Sequence, residues 1–281
     1  MHDNSLRLRL LFDRSFKVII ILLALLSICP LFLVFAYIIQ KGAGSLSLGF
    51  LVSLPKPVGE VGGGIVNAIA GSIIMVGMAS IIAVPISLLA GIYLAEYPER
   101  KSSYWIRLCA EMLQGVPSII IGILGYTWIV RLTGFSGISG AVALSMMMIP
   151  VITRSTEESL KLVPNSLREA ALAMGTPYQR VVFRVVSPSA FSGILSGVIL
   201  SVARVAGETA PLIFTAFGSN FLVLDPRQPM SSLPQLIYNY ATSGYDDWIN
   251  IAWGASFVLI MIVLSLNIFV KWVNRRWKTE Y

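Results

Sequence analysis

The sequence is poor in charge, cysteine and histidine, and each shortage excludes a class of protein. Only 12% of the 281 residues are charged, about half the fraction usual in a soluble globular domain. The two cysteines, Cys29 and Cys109, lie in or beside apolar segments, so neither a disulfide framework nor a metal site is expected. The single histidine, His2, lies in the polar N-terminal tail, which removes most histidine-based chemistry. Since 56% of the residues are hydrophobic, lipid is the expected solvent of most of the chain.

The hydrophobic residues form six runs long enough to cross a bilayer, which takes roughly 20 helical residues. The first run has 22 residues and no small-x-small cleavage site, which predicts a retained helix rather than a signal peptide. The second has 31 residues and contains Pro85, which predicts a tilted or kinked helix. We predict an all-α polytopic membrane protein of six transmembrane helices. The runs are 18–39, 65–95, 112–130, 137–153, about 189–216, and 248–270.

Lysine and arginine are distributed unequally between the predicted loops. If both termini are cytoplasmic, sixteen of these residues lie on the inner side, four lie on the outer side, and Arg204 lies inside a span. Cytoplasmic loops collect lysine and arginine, so the pattern predicts that both termini are inside. The net charge of +7 is then explained by the orientation of the chain in the lipid membrane. It forms no exposed basic stripe, so nucleic acid is not an expected partner.

The polar segment between the fourth and fifth spans predicts two short helices. Ser166 and Glu169 fit a capping box, and Gly175 fits a left-handed helix end. Thr176 and Pro177 predict the start of the second helix. A helix this short is marginal alone, so it must dock on the membrane domain or in the groove of a second protein. An ordinary helix on the membrane surface fits the same pattern. The apolar face of the first helix is Leu167, Ala170, Ala171 and Met174.

The same segment carries a longer motif. Glu169-Ala170-Ala171 is followed after three residues by Gly175 and, nine residues later, by Val185-Val186-Ser187-Pro188. This pattern resembles the EAA loop of binding-protein-dependent ABC importer permeases, with Val185 and Ser187 departing from the family's Ile-x-Leu-Pro. The resemblance covers roughly residues 65–270 and implies a type I ABC importer permease fold. In that family the loop forms a coupling helix in a cleft of the ATPase subunit. The residues expected to couple are Glu169, Ala170, Ala171 and Gly175.

The chain lacks the elements that bind nucleotide phosphates. It has no Gly-x-x-x-x-Gly-Lys-Ser/Thr loop, and no glycine directly precedes a lysine. It therefore cannot cradle nucleotide phosphates in that way. We expect ATP to be used by separate ATPase subunits, and we expect this chain to hold no cofactor and to be no enzyme by itself.

The fifth span carries two charged residues, Arg204 and Glu208, four positions apart. This spacing predicts that both project from one helix face near the middle of the membrane. An arginine there costs about 2.5–3.5 kcal/mol on insertion scales, so it is expected to face a bundle interior or a wet cavity. Two interpretations stay open from the residues alone. The two side chains neutralise each other as a structural pair, or Arg204 attracts an anionic cargo while Glu208 tunes its release.

A second motif surrounds these charges. Arg204-x-x-Gly207-Glu208-Thr209-Ala210-Pro211 resembles the fifth-span motif of phosphate permeases of the PstA and PstC kind, and Gly115-Val116-Pro117-Ser118 is similar to the same group. The length, the opening runs and the basic C-terminal tail are more similar to PstA. The resemblance implies a multi-pass protein of the prokaryotic inner membrane. Its implied partners are a PstC-like permease, two PstB-like ATP-binding subunits and a PstS-like extracytoplasmic phosphate-binding protein. The implied phosphate pathway is Arg204, Glu208, Thr209 and Ser118.

The predicted organisation has three parts. Residues 1–64 hold a tail, the first transmembrane helix and an outer loop; residues 65–271 form the permease domain, with the coupling loop at about 164–188; residues 272–281 form a cytoplasmic basic tail. A permease for sulfate or molybdate is the nearest alternative function, whereas a passive channel would have no use for the coupling loop. A membrane hydrolase is suggested by Gly134-Phe135-Ser136-Gly137, but a serine nucleophile needs a base, and the single histidine, His2, lies far away in the N-terminal tail. These glycines therefore predict a turn in an outer loop.

Overall fold

A computed structural model describes residues 2–60 and 62–276, with the side chains of all these except residues 2–12, 15 and 273–276. Within those ranges the chain is helical, with one isolated β-bridge between Phe217 and Met230. The first half of the helices comprises α1 (His2–Gly42), α2 (Leu48–Val52), α3 (Val66–Glu96), α4 (Lys101–Gly115), α5 (Ser118–Gly125), α6 (Arg131–Thr133) and α7 (Gly137–Lys161). The second half comprises α8 (Asn165–Ala173), α9 (Tyr178–Val181), α10 (Ser187–Ser189), α11 (Phe191–Val205), α12 (Ala210–Thr215), α13 (Leu233–Ala241) and α14 (Asp246–Arg276).

Helix lengths and composition agree with the predicted membrane crossings. In the described residues, α1, α3, α7 and α14 each contain a stretch long and apolar enough to cross a bilayer. Two further crossings are possible if bent pairs count as single spans. The first pair joins α4 to the segment Ser118–Thr133 with a bend of 103°, and the second joins Tyr178–Ser189 to α11 with a bend of 67°. The all-α polytopic prediction is confirmed, with four continuous helices and up to two broken ones.

Two of the six predicted spans are bent pairs of helices. The run 112–130 is not one helix, because α4 ends at Gly115 and α5 begins at Ser118. Val116 between them is extended, with φ −72° and ψ 126°, as expected of a residue that precedes proline. The run 189–216 is interrupted at Ala190 and again at residues 206–209. Helices broken at membrane depth are tolerated where the freed backbone groups are buried in protein or line a cavity.

The centre of the bundle is the pair α3 and α7, which make the most extensive contact between two helices of the described residues. Helix α11 packs on α7, and α12 packs on both α5 and α7. Alanines on α3 and α7 let the backbones approach closely, which drives association in lipid through van der Waals packing. The side chains buried in this core include Met75, Ala79, Ala83, Ala141, Leu144, Met148, Ile152, Val205 and Leu212.

Gly91 sets the spacing between α3 and α7. A methyl group at Gly91 would lie 2.6 Å from Cβ of Thr156 and 2.8 Å from the carbonyl oxygen of Thr153. We expect Gly91→Ala to lower the free energy of unfolding by about 1–3 kcal/mol, because backbone atoms cannot move aside as a flexible side chain would. Thermal unfolding of the purified protein in detergent measures the loss.

Gly77 is the matched control on the same helix. Nothing described lies within 4 Å of a methyl group placed there. Gly77→Ala should therefore raise stability by about 0.5–1 kcal/mol, the usual gain on replacing a glycine inside a helix. Equal effects of the two alanines would contradict the account of close packing at Gly91.

Helix α1 lies at the edge of the bundle. None of its most hydrophobic window is buried, and it contacts α14, where Tyr37 packs edge-on against Trp253 with ring centroids 5.0 Å apart. The predicted division of the chain at residue 65 stays a prediction. The predicted basic tail, 272–281, lies partly outside the described residues. The end of the bundle that carries α8 is called the basic end below, because Arg107, Arg154, Lys161 and Arg168 form their ion pairs there.

Candidate functional site

Residues 162–190 fold onto the basic end as short helices on either side of one glycine. Helix α8 ends at Ala173, and Gly175 has a φ of +74°, so the predicted left-handed helix end is confirmed. The predicted caps are wrong, because Pro164 and Pro177 precede the two helices and no described side chain caps either one. Ser166 already lies inside the first turn of α8, where its hydroxyl cannot serve as the cap.

The predicted apolar face of α8 is divided between the protein and the surface. Leu167 and Ala171 pack on an apolar cluster at the basic end that contains Leu160, Val163, Val181, Val186 and Ala190. Ala170 is exposed, and Met174 has 85% of its surface exposed. Helix α8 is therefore docked on its own membrane domain and still presents apolar surface outward. Of the four predicted coupling residues, Glu169, Ala170 and Gly175 are exposed and Ala171 is half-buried.

Two polar contacts attach this loop to α3. Glu96 is the last residue of α3, and its side chain is only 3% exposed. Its Oε1 atom accepts a hydrogen bond from Nη1 of Arg168 in α8 at 2.6 Å. Its Oε2 atom accepts one from the hydroxyl of Tyr178 in α9. A single carboxylate thus holds the helices on both sides of Gly175.

A second buried carboxylate joins α4 to α7. Glu157 has no exposed side-chain surface and forms ion pairs with Arg107 at 2.6 Å, Arg154 at 3.2 Å and Lys161 at 2.5 Å. A buried charge is tolerated only when it is paired and hydrogen-bonded, so the three cations are a condition for this packing. Arg107 comes from α4, and its pairing fixes that helix ahead of the 103° bend.

The predicted pair Arg204 and Glu208 lies at a helix break. Helix α11 ends at Val205, and α12 begins at Ala210. The backbone N–H groups of Gly207 and Glu208 bond three residues back, to the carbonyls of Arg204 and Val205, so the helix tightens and ends there. Glu208 therefore lies beyond α11, and the expectation of one shared helix face is wrong. Nε of Arg204 lies 3.9 Å from Oε1 of Glu208, at the limit of an ion pair, and the Arg204 side chain is 56% exposed. The guanidinium is therefore open to a further partner.

The short helices at the two breaks, α5 and α12, pack against each other. A methyl group at Gly122 would lie 2.8 Å from Cα of Pro211, and one at Gly125 would lie 2.8 Å from Cγ2 of Thr215. The contacts advance in the same direction along both helices. Helices α5 and α12 therefore run parallel, and their first turns lie at the same end.

This parallel packing puts the starts of α5 and α12 at the same end of the helix pair, and the predicted pathway residues lie at or shortly before those starts. Ser118 is the first residue of α5, and Thr209 immediately precedes α12. Arg204 and Glu208 lie within the six residues before α12. The chain at these two helix starts carries a guanidinium, a carboxylate and two hydroxyls, and the first backbone N–H groups of α5 lack partners within the helix. Donors of this kind suit the oxygens of an anion.

The Gly134–Gly137 segment, whose sequence suggested a membrane hydrolase, forms a turn. Gly134 has a φ of +84°. Oγ of Ser136 accepts a hydrogen bond from the backbone N–H of Ser139 at 3.1 Å and caps α7. Ser136 thus serves as a helix cap in the predicted turn.

The chain is similar to known proteins in sequence and in fold. Residues 87–279 match the family described as binding-protein-dependent transport system inner membrane component. A phosphate transport system permease protein PstA from Yersinia pestis is 41% identical over 238 residues, which cover 83% of this chain and 80% of the relative. The PstA of Haemophilus influenzae is 44% identical over 237 residues, with 83% of each chain covered. A chain of the MetNI methionine ABC transporter in an inward-facing conformation shares the fold, with a TM-score of 0.61, 18% identity, and coverage of 76% of this chain and 94% of that chain.

Proposed function

The chain belongs to the family of binding-protein-dependent transport system inner membrane components, and from that membership we propose that it is a permease subunit of an ATP-driven importer of inorganic phosphate. The observation that carries the proposal is its 41% identity to a phosphate transport system permease over 83% of the chain. The family match, 87–279, also spans both helix breaks. As a permease the chain catalyses no reaction itself and forms half of the translocation pathway.

The region at the start of α5 and α12 has the chemistry that phosphate requires. The exposed guanidinium of Arg204 offers donors in a fixed fork, and Ser118 and Thr209 add hydroxyl donors. Glu208 lies beside the guanidinium and repels a multivalent anion. Conduction requires binding strong enough to admit the ion and weak enough to release it, and this carboxylate lowers the affinity in that sense. We assign the pathway to these four residues.

The exposed part of α8 is the surface we assign to the ATPase. Ala170 and Met174 face away from the bundle, so they are available to a cleft in an ATP-binding subunit. The positive-inside rule puts the basic end in the cytoplasm of a prokaryotic cell, with both termini inside. The remaining proposed partners are a PstC-like permease that completes the pathway, two PstB-like subunits that use ATP, and a PstS-like phosphate-binding protein at the opposite end.

Transport by the purified complex tests the cargo. The tagged chain is copurified with its subunits, reconstituted into vesicles with the binding protein and ATP, and supplied with labelled phosphate, sulfate or molybdate. We expect ATP-dependent accumulation of phosphate alone. Accumulation of sulfate or molybdate without phosphate would assign the chain to another oxyanion importer.

Site-directed crosslinking tests the surface of α8. Cys29 and Cys109 are both exposed, so they are first replaced by serine. In that background Ala170→Cys or Met174→Cys should crosslink to the ATP-binding subunit in the active complex, because both side chains face outward.

Ala171→Cys is the matched control on the same helix. It should crosslink at least about tenfold less, because Ala171 packs inward on the chain's own apolar cluster. Crosslinks from Ala170 that reach only lipid, in vesicles that still import phosphate, would contradict the assignment of this surface.

A further inference from the structure

Glu96 is placed to connect α8 mechanically to the transmembrane bundle. Charged residues make up only 12% of the chain, and this one has a side chain that is 3% exposed. Both of its carboxylate oxygens accept hydrogen bonds from the coupling loop. Arg168 belongs to α8 and Tyr178 to α9, so the contact spans the turn at Gly175. The two partners are 72 and 82 residues from Glu96 along the chain. The contact is therefore a tertiary interaction that joins α3 to α8 and α9, which are distant from it along the chain.

The helix that carries Glu96 is itself firmly held. Helix α3 is in close contact with α7 at Gly91, five residues before Glu96. Beneath the ion pair, Ile92 and Ala95 of α3 pack on the same apolar cluster that holds Leu167 and Ala171 of α8. Apolar packing is non-directional and lets one helix slide over another, whereas a hydrogen-bonded ion pair fixes both distance and orientation. The ion pair therefore fixes the position of α8 relative to the end of α3, which the apolar cluster alone would not do.

We propose that Glu96 and Arg168 are positioning residues for coupling: their ion pair, with the hydroxyl of Tyr178, makes α8 and the end of α3 move as one body when the ATP-binding subunits move α8. This inference rests on the proposed function. Without this contact, α8 follows the ATPase while the bundle lags behind, and ATP is hydrolysed without import. Glu96 and Arg168 touch neither the cargo nor ATP in this scheme and act through the position of α8.

The test measures phosphate imported per ATP hydrolysed by the reconstituted full complex. Glu96→Gln and Arg168→Gln each remove one charge of the pair, and we expect each to lower the ratio by about fivefold or more while ATP hydrolysis continues. Arg168→Lys, which keeps the charge, should recover part of the ratio. Because the two residues act through one contact, the double variant should be no worse than the more affected single variant.

Glu99→Gln is the matched control. Glu99 is an exposed carboxylate in the turn that follows α3, three residues from Glu96, and its substitution should leave the ratio unchanged. Tyr178→Phe removes one neutral donor and preserves the pair of charges, so it should fold even if a charge variant does not. We expect it to lower the ratio by less than Glu96→Gln does.

The outcomes separate this proposal from the proposed function. If the unmodified complex does not import phosphate, the proposed function fails. If it does, and Glu96→Gln, Arg168→Gln and Tyr178→Phe all keep its ratio of import to hydrolysis, the positioning role is refuted. A merely structural role would lower the yield of assembled complex without changing the ratio, and that result would also overturn the proposal. A lowered ratio with partial recovery in Arg168→Lys supports it.

Discussion

Replacing Arg204 by glutamine is expected to reduce phosphate uptake by at least about tenfold while the complex remains assembled. A hydrogen bond to a charged group contributes about 1.5–3 kcal/mol, and the substitution removes the charged donor that the break between α11 and α12 leaves open. The pair with Glu208 contributes little to folding, because the two atoms are 3.9 Å apart and the arginine is more than half exposed. Initial rates of labelled phosphate uptake in reconstituted vesicles, alongside the yield of purified complex, measure both effects.

Glu208→Gln distinguishes the two interpretations of this pair. If the carboxylate tunes release, its neutralisation should tighten phosphate binding and lower the apparent KM, opposite in direction to Arg204→Gln. If the two residues only neutralise each other, both single variants should impair assembly, and the double variant should restore it. Arg204→Lys should fall between glutamine and arginine, because a lysine keeps the charge but loses the planar fork. Unchanged uptake in Arg204→Gln would remove this residue from the pathway.

The architecture could be predicted from the sequence because apolar runs and their length follow directly from the thickness of a bilayer. Helix α3 matches its predicted run to within one residue at each end, and α7 and α14 contain their predicted runs and extend beyond them. The helix breaks between α4 and α5 and between α11 and α12 could not be predicted in the same way. Pro117 and Pro211 were visible inside apolar runs, but a proline either kinks a helix or ends it, and tertiary packing decides which. The parallel packing of α5 on α12 depends on close contacts at Gly122 and Gly125. Nothing in the sequence around these two glycines indicates which residues they contact.

The candidate site divides in the same way. Motif spacing placed Gly175 at a left-handed helix end, because glycine adopts that conformation without strain. The role of Glu157 was missed, although Arg154 and Lys161 lie three and four residues away on the same helix, a spacing that favours ion pairs. In the sequence, Arg154 and Lys161 contribute only to the excess of positive charge that predicts the orientation in the membrane. The contacts of Glu96 have no local signal, because its partners are 72 and 82 residues distant.

Replacing Gly175 by valine is expected to abolish coupled import, with a fall of about tenfold or more in phosphate imported per ATP. The φ of +74° at this position is strained for residues with a Cβ atom, at a cost of roughly 1–2 kcal/mol, and more for a β-branched residue. Relief of that strain requires the turn between α8 and α9 to rearrange. The rearrangement would displace Arg168 and Tyr178, on either side of the turn, from their shared partner Glu96. Import and ATP hydrolysis measured on the same vesicles give the ratio.

Gly175→Asn isolates the cause, because asparagine tolerates the left-handed conformation better than other residues with a Cβ atom. Nothing described lies within 4 Å of a methyl group at Gly175, so a Cβ atom added there meets no neighbour among the described residues. If backbone conformation governs coupling, asparagine should retain most of the ratio, alanine should lose part of it, and valine should lose nearly all. If the ATPase instead requires an empty surface at this turn, asparagine should be as damaging as valine, since both add bulk at the same point. The order of the three variants therefore decides whether Gly175 shapes the loop or makes room for the partner.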